Sequence, residues 1–420
     1  MMARLIYSLI LYLATPLIWL RLLWRARKQP EYLQHLAERY GFYRQPVPEK
    51  LIWVHAVSVG ETRAAQPLIE GLQARWPEHR ILLTGMTPTG RAAGQQVYGE
   101  RVIQAYLPYD YPAAVDRFFG HFSPAFGVLM ETEIWPNLLA AAQRKKVPVM
   151  LANARLSVRS ARGYGKLDAL VRPAFAALSG VLAQTAGDAE RIAGLGAGRV
   201  EVCGNLKFDV TPAEEQIALG VQWRAAIGQR PVCLAASTRE GEEPLILAAW
   251  REVGIPNALL VLVPRHPQRF DVVAELLKQQ HQNFVRRSAG LPESDTHIWL
   301  GDSMGEMAAY FTLADLAFIG GSLLPLGGQN LIEAAACGCP VLVGPHTFNF
   351  LQATEDAISA GAARRIESPE ELGLTVNRLL QEKSELASMR ESAHHFARAH
   401  QGATQRTLAF IEQWSDQAAR

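Results

Sequence analysis

Short apolar segments alternate with helical segments along most of this 420-residue chain. The apolar segments are rich in Val, Ile and Leu, which is typical of strands buried on both faces. A repeated strand–helix order predicts parallel sheets covered by helices. The predicted strands form two series, and we interpret residues 208–229, a polar stretch with Pro212, as the linker between them. The first series is Leu51–Val57, Arg80–Gly85, Val102–Leu107, Ala125–Met130, Val147–Asn153, Gly180–Gln184 and Val200–Cys203, and the second is Pro231–Ala236, Ala258–Pro264, His297–Leu300, Leu316–Gly320 and Pro340–Gly344.

The two series predict two doubly wound α/β domains that face each other across a cleft. The chain is too long for one ordinary domain, and its 49% hydrophobic content is enough for two buried cores. We place the first Rossmann-like domain at residues 29–210 and the second at 211–395, and we expect residues 396–420 to form a helix that packs back on the first domain. Because ligands in such folds bind at the carboxyl ends of strands, the loops there are expected to carry the function.

The N-terminal segment, residues 1–28, is predicted to anchor the protein to a membrane. Its stretch Leu5–Trp24 has 20 residues and a single charge, Arg21. Twenty helical residues just cross a hydrocarbon core of roughly 30 Å. The basic residues that follow predict that the body of the protein stays on the cytoplasmic side of the inner membrane. Two alternatives remain open: a helix lying flat in the interface, and a cleaved signal peptide, although no small-residue cleavage site follows Trp24.

The distribution of charge argues against a protein that binds nucleic acid. Residues 1–28 hold five basic residues and no acidic one, which leaves 37 basic and 40 acidic residues in the rest of the chain. A body with a slight negative excess is not suited to a polyphosphate backbone. The four cysteines lie in apolar contexts, and Cys337 and Cys339 lack the partners of a zinc site. We expect neither a metal nor any other cofactor.

Three residues of the first half lie where a predicted domain carries function. Glu61 and Glu131 follow predicted strands, and Lys207 precedes the predicted linker. Ser58 and Glu61 are spaced as in a capping box, and this structural interpretation competes with Glu61 acting as a general base. Glu131 opens an acidic turn before Pro136, which is also typical of a helix start. The residues alone do not decide between these alternatives.

The second half contains a glycine-rich pattern typical of nucleotide binding. The pattern begins with Gly320-Gly321-Ser322 and continues with Gly327-Gly328-Gln329-Asn330 before a helix predicted to begin near Leu331. Such loops let the backbone approach a phosphate closely. Arg265 follows a predicted strand and is a candidate phosphate ligand, with a simple helix-entry turn as the alternative. The segment Gly305–Met307 follows Ser303, and a capping box between Ser303 and Glu306 would explain it equally well.

Four basic residues are spaced so that one helix would carry them all on one face. They are Arg155, Arg159, Arg162 and Lys166. A solvated surface is one interpretation, and contact with lipid phosphates or with a charged acceptor is the other.

Taken together, these motifs resemble the Kdo (3-deoxy-D-manno-octulosonic acid) transferases of lipopolysaccharide inner-core synthesis. The resemblance covers nearly the whole chain. The matching segments are Arg39–Tyr43, Val57–Glu61, Met86–Gly90, Leu107–Asp110, Met130–Asn137, Asn153–Ser157 and Leu206–Asp209, together with Arg265 and the Gly320–Glu333 block. Two positions depart from the pattern: Gln329 and Arg239 stand where such enzymes often have His, which leaves donor contacts there undefined.

The resemblance implies a glycosyltransferase-B fold and a metal-independent, inverting transfer of Kdo from CMP-Kdo to a lipid A precursor (lipid IVA). It implies Glu61 as the general base, with Glu131 and Lys207 stabilising the transition state, and an acceptor bound mainly by the first domain. The implied CMP ligands are Arg265, Gly305, Glu306, Met307, Asn330, Leu331, Ile332 and Glu333.

Two other functions are considered. One is a different nucleotide-sugar enzyme of the same fold, such as an epimerase or a UDP-sugar transferase, although an epimerase has no need of a membrane anchor. The other is a non-catalytic, membrane-bound sensor of nucleotide sugars, in which the two carboxylates Glu61 and Glu131 would have no purpose.

Overall fold

The computed structural model describes residues 2–419, and the side chains of residues 2–416. Met1 of the predicted anchor and Arg420 of the predicted last helix lie outside the described residues. The chain divides into two compact units, one comprising Met1–Val210 with Gln401–Arg420 and the other Thr211–His400. Each unit is built on its own sheet of seven parallel strands.

The first unit has a sheet whose central strands are buried on both faces. Its strands are β1 (Leu51–His55), β2 (Arg80–Gly85), β3 (Val102–Tyr106), β4 (Phe126–Met130), β5 (Val149–Ala154), β6 (Gly180–Ala183) and β7 (Val200–Val202), and they lie in the order β3-β2-β1-β4-β5-β6-β7. Within β1, Trp53 packs into the core on one face of the sheet, while Ile52 and Val54 pack into the core on the other. Alternate side chains of a strand point to opposite faces, so one apolar run supplies both cores.

The helices of this unit before residue 210 connect the strands and cover the sheet. They are α1 (Met2–Leu13), α2 (Thr15–Ala26), α3 (Val59–Ala64), α4 (Gln66–Arg75), α5 (Pro88–Tyr98), α6 (Pro112–Phe122), α7 (Pro136–Arg144), α8 (Val158–Gly165), α9 (Asp168–Ala176) and α10 (Ala186–Gly194). Phe118 and Phe119 of α6 pack against Trp53. Trp53 also explains Gly127 in β4, where a Cβ would lie 2.4 Å from the Trp53 ring.

The second unit repeats the same architecture. Its strands are β8 (Val232–Thr238), β9 (Leu259–Pro264), β10 (Phe284–Arg286), β11 (Ile298–Leu300), β12 (Leu316–Ile319), β13 (Val341–Val343) and β14 (Ala363–Arg365), in the order β10-β11-β9-β8-β12-β13-β14. Its helices are α11 (Glu214–Ile227), α12 (Glu242–Val253), α13 (Phe270–Gln279), α14 (Met307–Leu313), α15 (Ile332–Ala336), α16 (Leu351–Ser359), α17 (Pro369–Gln381) and α18 (Lys383–Ala399).

Two expectations about connections need correction. Most of the predicted linker is α11, which belongs to the second unit because Trp223 packs against Trp299 and Tyr310 there. The helix expected over residues 396–420 begins later, because α18 of the second unit continues to Ala399 and α19 (Ala403–Ala419) then lies in the first unit. The break is at Gly402, whose φ of +94° is a left-handed conformation that suits glycine.

The predicted N-terminal helix is likewise a bent pair, α1 and α2, with 49° between them. Pro16 lies in the first turn of α2 and has no N–H to continue the hydrogen bonding of α1. Among the described residues, no single helix is long and apolar enough to cross a membrane, although the bent pair meets that test when taken together. The prediction of one continuous helix over Leu5–Trp24 is therefore corrected to a bent pair.

One face of this bent pair contacts the first unit through polar and aromatic groups. Ser8 and Asn137 form a hydrogen bond of 3.0 Å, and the hydroxyls of Thr15 and Tyr111 lie 2.8 Å apart. Tyr12 stacks on Tyr111 as well. The side chains on the other face are exposed and apolar, among them Leu5, Ile6, Leu9, Ile10, Leu13, Leu17, Leu20, Leu23 and Trp24.

Each sheet has one point at which the strand order reverses, with the earlier strands of the unit on one side and the later strands on the other. In the first unit this switch point lies between β1 and β4, and in the second between β8 and β12. The loops on the two sides of a switch point separate, which leaves a crevice at the carboxyl ends of the strands. The candidate catalytic and nucleotide-binding residues lie around these two crevices.

Candidate functional site

Glu61 lies at the switch point of the first sheet, in the first turn of α3 after β1. The predicted capping box is present: Ser58 Oγ accepts from the Glu61 N–H and donates to Glu61 Oε1 at 2.9 Å, while the Val57 N–H donates to Oε2 at 2.9 Å. Burial, followed by the negative charges of Glu131 and Glu133, raises the pKa of Glu61 to about 7, although the hydrogen bonds oppose that rise. Hydrogen bonds from a helix cap favour the ionised carboxylate and therefore lower its pKa. Capping alone does not account for a Glu61 pKa that is raised to about 7.

Glu131 lies on the other side of the same switch point, directly after β4. Its φ of +59° is a left-handed conformation, uncommon for a residue other than glycine, and such strain is concentrated at functional sites. Its Oε1 lies 2.8 Å from Nζ of Lys207, and both side chains are about four-fifths buried. The structure therefore brings the three predicted catalytic residues to one end of one sheet.

Two supporting residues of this site were not predicted. Asn153, in β5, has a φ of +54° at a register shift, and its Oδ1 accepts from the Leu206 N–H in the short 3₁₀ helix that carries Lys207. Thr87 Oγ1 donates to the carbonyl of Val57, the residue whose N–H binds Glu61. Both residues were within recognised motifs, but a hydrogen bond to the backbone of a distant segment leaves no pattern in a sequence.

The four basic residues do not lie together on one helix. Arg155 precedes α8, which begins at Val158, and its carbonyl accepts from the hydroxyl of Thr132. Arg159 and Arg162 lie within α8, and Lys166 follows its last turn. All four side chains are exposed. The expected single face is thus wrong for Arg155.

In the second unit, the glycine-rich pattern lies at the switch point between β8 and β12. Gly320 ends β12 against the backbone of β8, where a Cβ would lie 2.5 Å from the Ser237 carbonyl oxygen. Gly321 has a φ of +72°, and its N–H donates to the buried carboxylate of Glu242. Glycine is thus required at both positions, by close approach at one and by conformation at the other.

Arg265 follows β9, the strand next to β8, as the sequence predicts. Its Nε donates to Oε1 of Gln329 at 3.2 Å, and Gln329 in turn lies against Gly321. The guanidinium group of Arg265 therefore belongs to the rim of the same crevice. Burial, followed by the positive charges of Arg239, Arg265 and Arg269, lowers the pKa of His266, which lies beside Arg265 on this rim.

The Gly305–Met307 segment is arranged differently from a capping box. Helix α14 begins at Met307 with Glu306 as its N-cap residue, so Ser303 does not cap it. Glu306 instead receives hydrogen bonds from the Ser303 hydroxyl and from Nη2 of Arg287. Gly305 has a φ of +84°. These contacts fix the Glu306 carboxylate in the loop after β11.

The Asn330–Glu333 segment contains the start of α15, one residue later than predicted. Asn330 Oδ1 accepts from the Ile332 N–H at 3.0 Å, and its Nδ2 donates to Glu333 Oε1 at 3.1 Å. Leu331 and Ile332 are buried. Their side chains therefore support the loop, and the polar groups left to contact a ligand are the backbone, Asn330 and Glu333.

Two buried carboxylates in α12 organise this crevice and were missed from the sequence. Glu242 accepts from the N–H groups of Arg239, Gly321 and Leu323, so it joins the loops after β8 and β12. Glu243 pairs with Arg269 at 2.7 Å. Adjacent acids at a helix start read as an ordinary acidic first turn, and nothing in the sequence shows which distant amides they bind. Within residues 2–419, no group of three or more His, Cys, Asp and Glu side chains is arranged to hold a metal ion.

The sequence is similar to those of known sugar transferases. Residues 34–210 match the family model described as 3-Deoxy-D-manno-octulosonic-acid transferase (kdotransferase). The chain is 46% identical to the 3-deoxy-D-manno-octulosonic acid transferase of Bordetella pertussis, over 98% of this chain and 100% of that protein. It is 38% identical to the corresponding transferase of Haemophilus influenzae, over 98% of each.

The fold is similar to that of nucleotide-sugar epimerases. The UDP-GlcNAc 2-epimerase from Neisseria meningitidis bound to UDP-GlcNAc matches with a TM-score of 0.58 and 16% identity, over 87% of this chain and all of that one. The MnaA–UDP co-structure of S. aureus matches with a TM-score of 0.60 and 14% identity, over 87% and 97%. Identities this low establish the fold alone, and they confirm the prediction of two parallel-sheet α/β domains.

Proposed function

Because the chain belongs to the 3-deoxy-D-manno-octulosonic acid (Kdo) transferase family and is a glycosyltransferase, we propose that it moves Kdo from CMP-Kdo to a lipid A precursor in lipopolysaccharide synthesis. The transfer inverts the anomeric centre in a single displacement. The acceptor hydroxyl binds to the first unit and the donor nucleotide to the second. The observation that carries this assignment is the partly buried Glu61 carboxyl group at the first switch point, with its pKa raised to about 7.

Glu61 acts as the general base of this displacement. With a pKa near the working pH, a substantial fraction of the group is ionised and still basic enough to take the acceptor proton. The acceptor oxygen forms a bond to the anomeric carbon of Kdo as its proton passes to Glu61. The bond from that carbon to the phosphate oxygen breaks, and CMP leaves with the bonding electrons.

Glu131 and Lys207 stabilise the transition state as a paired unit. Positive charge develops at the anomeric carbon while negative charge moves to the leaving phosphate. A carboxylate and an ammonium 2.8 Å apart present both signs of charge in a fixed geometry, and such preorganised groups need no rearrangement during the reaction. The Asn153 hydrogen bond to Leu206 supports Lys207 in that position.

The donor is held by Arg265, Gly305, Glu306, Met307 and the Asn330–Glu333 segment. Arg265 neutralises the phosphate, and the Glu306 and Glu333 carboxylates accept hydrogen bonds from ribose or base. CMP is already a good leaving group, so positive side chains and positioning replace a divalent ion. We therefore propose a reaction that needs neither a metal nor another cofactor.

The protein works at the cytoplasmic face of the inner membrane, bound through α1 and α2. Their exposed apolar side chains suit burial in the acyl region, while the opposite face contacts the first unit. Arg21, Arg25, Arg27 and Lys28 lie at the end of this pair and favour anionic headgroups. Arg155, Arg159, Arg162 and Lys166 add exposed positive charge that suits lipid or acceptor phosphates.

The direct test supplies purified protein in lipid vesicles with CMP-Kdo and a lipid A precursor. Mass spectrometry should detect an acceptor heavier by one or more Kdo residues. One molecule of CMP should be released for each Kdo residue transferred. Transfer of sugar from a UDP donor instead, or release of CMP without any glycosylated lipid, would contradict the proposed function.

A further inference from the structure

Arg239 lies at the switch point of the second unit, beside the glycine-rich loop. It follows β8 directly, and β8 forms one side of the switch point. Its Cγ lies 3.4 Å from where a Gly321 Cβ would stand, so its side chain runs along the glycine loop after β12. Arg265 reaches the same loop through Gln329. Two guanidinium groups from adjacent strands thus meet at one crevice.

The backbone around Arg239 is strained in a way that directs this side chain. Ser237 has a φ of +57°, and the pairing of β8 with β9 shifts register between Ala236 and Thr238. Bulges of this kind reorient the residues that follow them and are frequent beside active sites. The buried Glu242 then holds the Arg239 N–H at 2.9 Å. The chain therefore carries a strained bulge and a buried carboxylate that together position Arg239.

The Arg239 guanidinium group has no hydrogen-bond or ion-pair partner among the described residues of the unit, whereas nearby Arg269 pairs with the buried Glu243. Its charge instead adds to the cationic field that lowers the pKa of His266. An arginine that is positioned by its backbone and left without an anion suits a negatively charged ligand.

The donor named above carries two anionic groups. Kdo is a 2-keto sugar acid, so the anomeric carbon that bonds to the phosphate of CMP also bears the sugar carboxylate. The carboxylate and the phosphodiester are therefore only a few bonds apart and must be neutralised within one crevice. Arg265 is the proposed ligand of the phosphate, which leaves the carboxylate without a partner.

We propose that Arg239 binds the carboxylate of the donor sugar, and so selects a CMP-linked keto-acid sugar over neutral nucleotide sugars. This inference rests on the proposed function. It assigns a role to a position where the resemblance to Kdo transferases leads one to expect His, and where this chain has a guanidinium group that can form two parallel hydrogen bonds with a carboxylate.

The test compares the wild type with Arg239→Met, which removes the charged guanidinium group but keeps an unbranched, flexible side chain. In one transfer assay, the KM for CMP-Kdo and the Ki for the product CMP are both measured. We expect the KM to rise roughly 10- to 100-fold, the range for one hydrogen bond between charged groups, while the Ki changes by less than about threefold. Arg239→Lys keeps the positive charge but lacks the two parallel N–H donors of a guanidinium group, so it should give an intermediate KM.

Arg251→Met, an exposed substitution on α12 of the same unit, is the matched control and should change neither constant. Calorimetric binding of CMP checks the folding of each variant independently of transfer. Equal increases of KM and Ki in Arg239→Met would assign Arg239 to the phosphate and overturn the proposal, as would wild-type values for both. If the wild type forms no Kdo product, the proposed function fails first.

Discussion

The ammonium group of Lys207 lies 2.8 Å from Oε1 of Glu131, beside the switch point where Glu61 lies partly buried. This ion pair sets the charge around Glu61, because the negative charge of Glu131 is one of the causes that raise the Glu61 pKa. Removing Lys207 leaves that charge uncompensated in a site of low exposure. The field acting on Glu61 then becomes more negative.

We therefore expect Lys207→Met to move the pH–rate profile as well as to slow the reaction. The pH at which transfer reaches half its maximum should rise, since a more negative surrounding opposes ionisation of Glu61. The turnover should fall at least tenfold at pH 7, because a charge-stabilising group is lost. Lys207→Arg should restore the midpoint more than the turnover. A midpoint that stays unchanged in Lys207→Met would contradict the coupling.

Glu61→Gln separates general-base catalysis from helix capping. The glutamine oxygen still accepts from the Val57 N–H, but the amide cannot take a proton. We expect turnover to fall by roughly 10²–10⁴-fold, with calorimetric affinity for CMP unchanged because the donor residues lie in the other unit. Ser58→Ala is the matched control, since it weakens the cap by about 1 kcal/mol while leaving the base. Near-normal transfer by Glu61→Gln would eliminate Glu61 as the base.

The same carboxyl group should make stability depend on pH in an unusual direction. Its pKa is about 7 in the folded chain and 4.5, the ordinary value of a Glu carboxyl, in the unfolded chain, so the unfolded chain binds fewer protons between these values. Ionised Glu61 then destabilises the fold as pH rises from 4.5 through 7. Relative to the wild type, Glu61→Gln should gain up to about 3 kcal/mol of unfolding free energy at pH 8 and almost none at pH 4. Urea denaturation at the two pH values measures the difference.

The sequence identified the central strands and the loops after them, because those features follow from local patterns. Each central strand is a continuous apolar run, and the glycines after β12 are required by close approach and by φ. The edge strands β10 and β14 were missed. Both have only three residues, include arginine and lie at a sheet edge, so they lack the continuous apolar run that marks the central strands.

The relationships between distant segments were beyond a reading of the sequence. The roles of Asn153 and Glu242 consist of hydrogen bonds to backbone N–H groups 53 and 79 residues away. Such contacts depend on strand order, which composition and spacing do not specify. The predicted helix over residues 5–24 also fails for a local reason, since the effect of Pro16 on the hydrogen bonding of α1 outweighs the apolar content.

Donor binding should be insensitive to chelators but sensitive to Arg265. Transfer in excess EDTA should match transfer with added Mg²⁺, because the proposed phosphate ligand is a guanidinium group. Arg265→Ala should weaken CMP binding by ~1–3 kcal/mol, the range for hydrogen bonds to charged groups. Calorimetry of CMP with the wild type, with Arg265→Ala and with EDTA checks both statements. A chelator effect reversed by Mg²⁺ would contradict metal independence.

The exposed apolar face of α1 and α2 should determine membrane binding. Leu9 and Leu13 are largely exposed and point away from the first unit. Burying one leucine side chain is worth about 1.5–3 kcal/mol, so Leu9→Asp with Leu13→Asp should reduce partitioning into anionic vesicles at least 100-fold. The melting temperature should stay within a few degrees, because neither side chain contributes to the core.

The matched control is Leu374→Asp, which alters a side chain 68% exposed in the second unit, close to the 72% of Leu13. It should leave vesicle binding unchanged. High salt should weaken the electrostatic part of wild-type binding and leave the apolar part.

The 49° bend and the contacts of α1 with the first unit favour a pair lying in the interface. In that arrangement, a protease added outside vesicles removes an N-terminal tag from externally bound protein. Protection of the tag would indicate a spanning pair. In the partitioning experiment, vesicle binding by the double variant equal to that of the wild type would show that another surface holds the protein to the membrane.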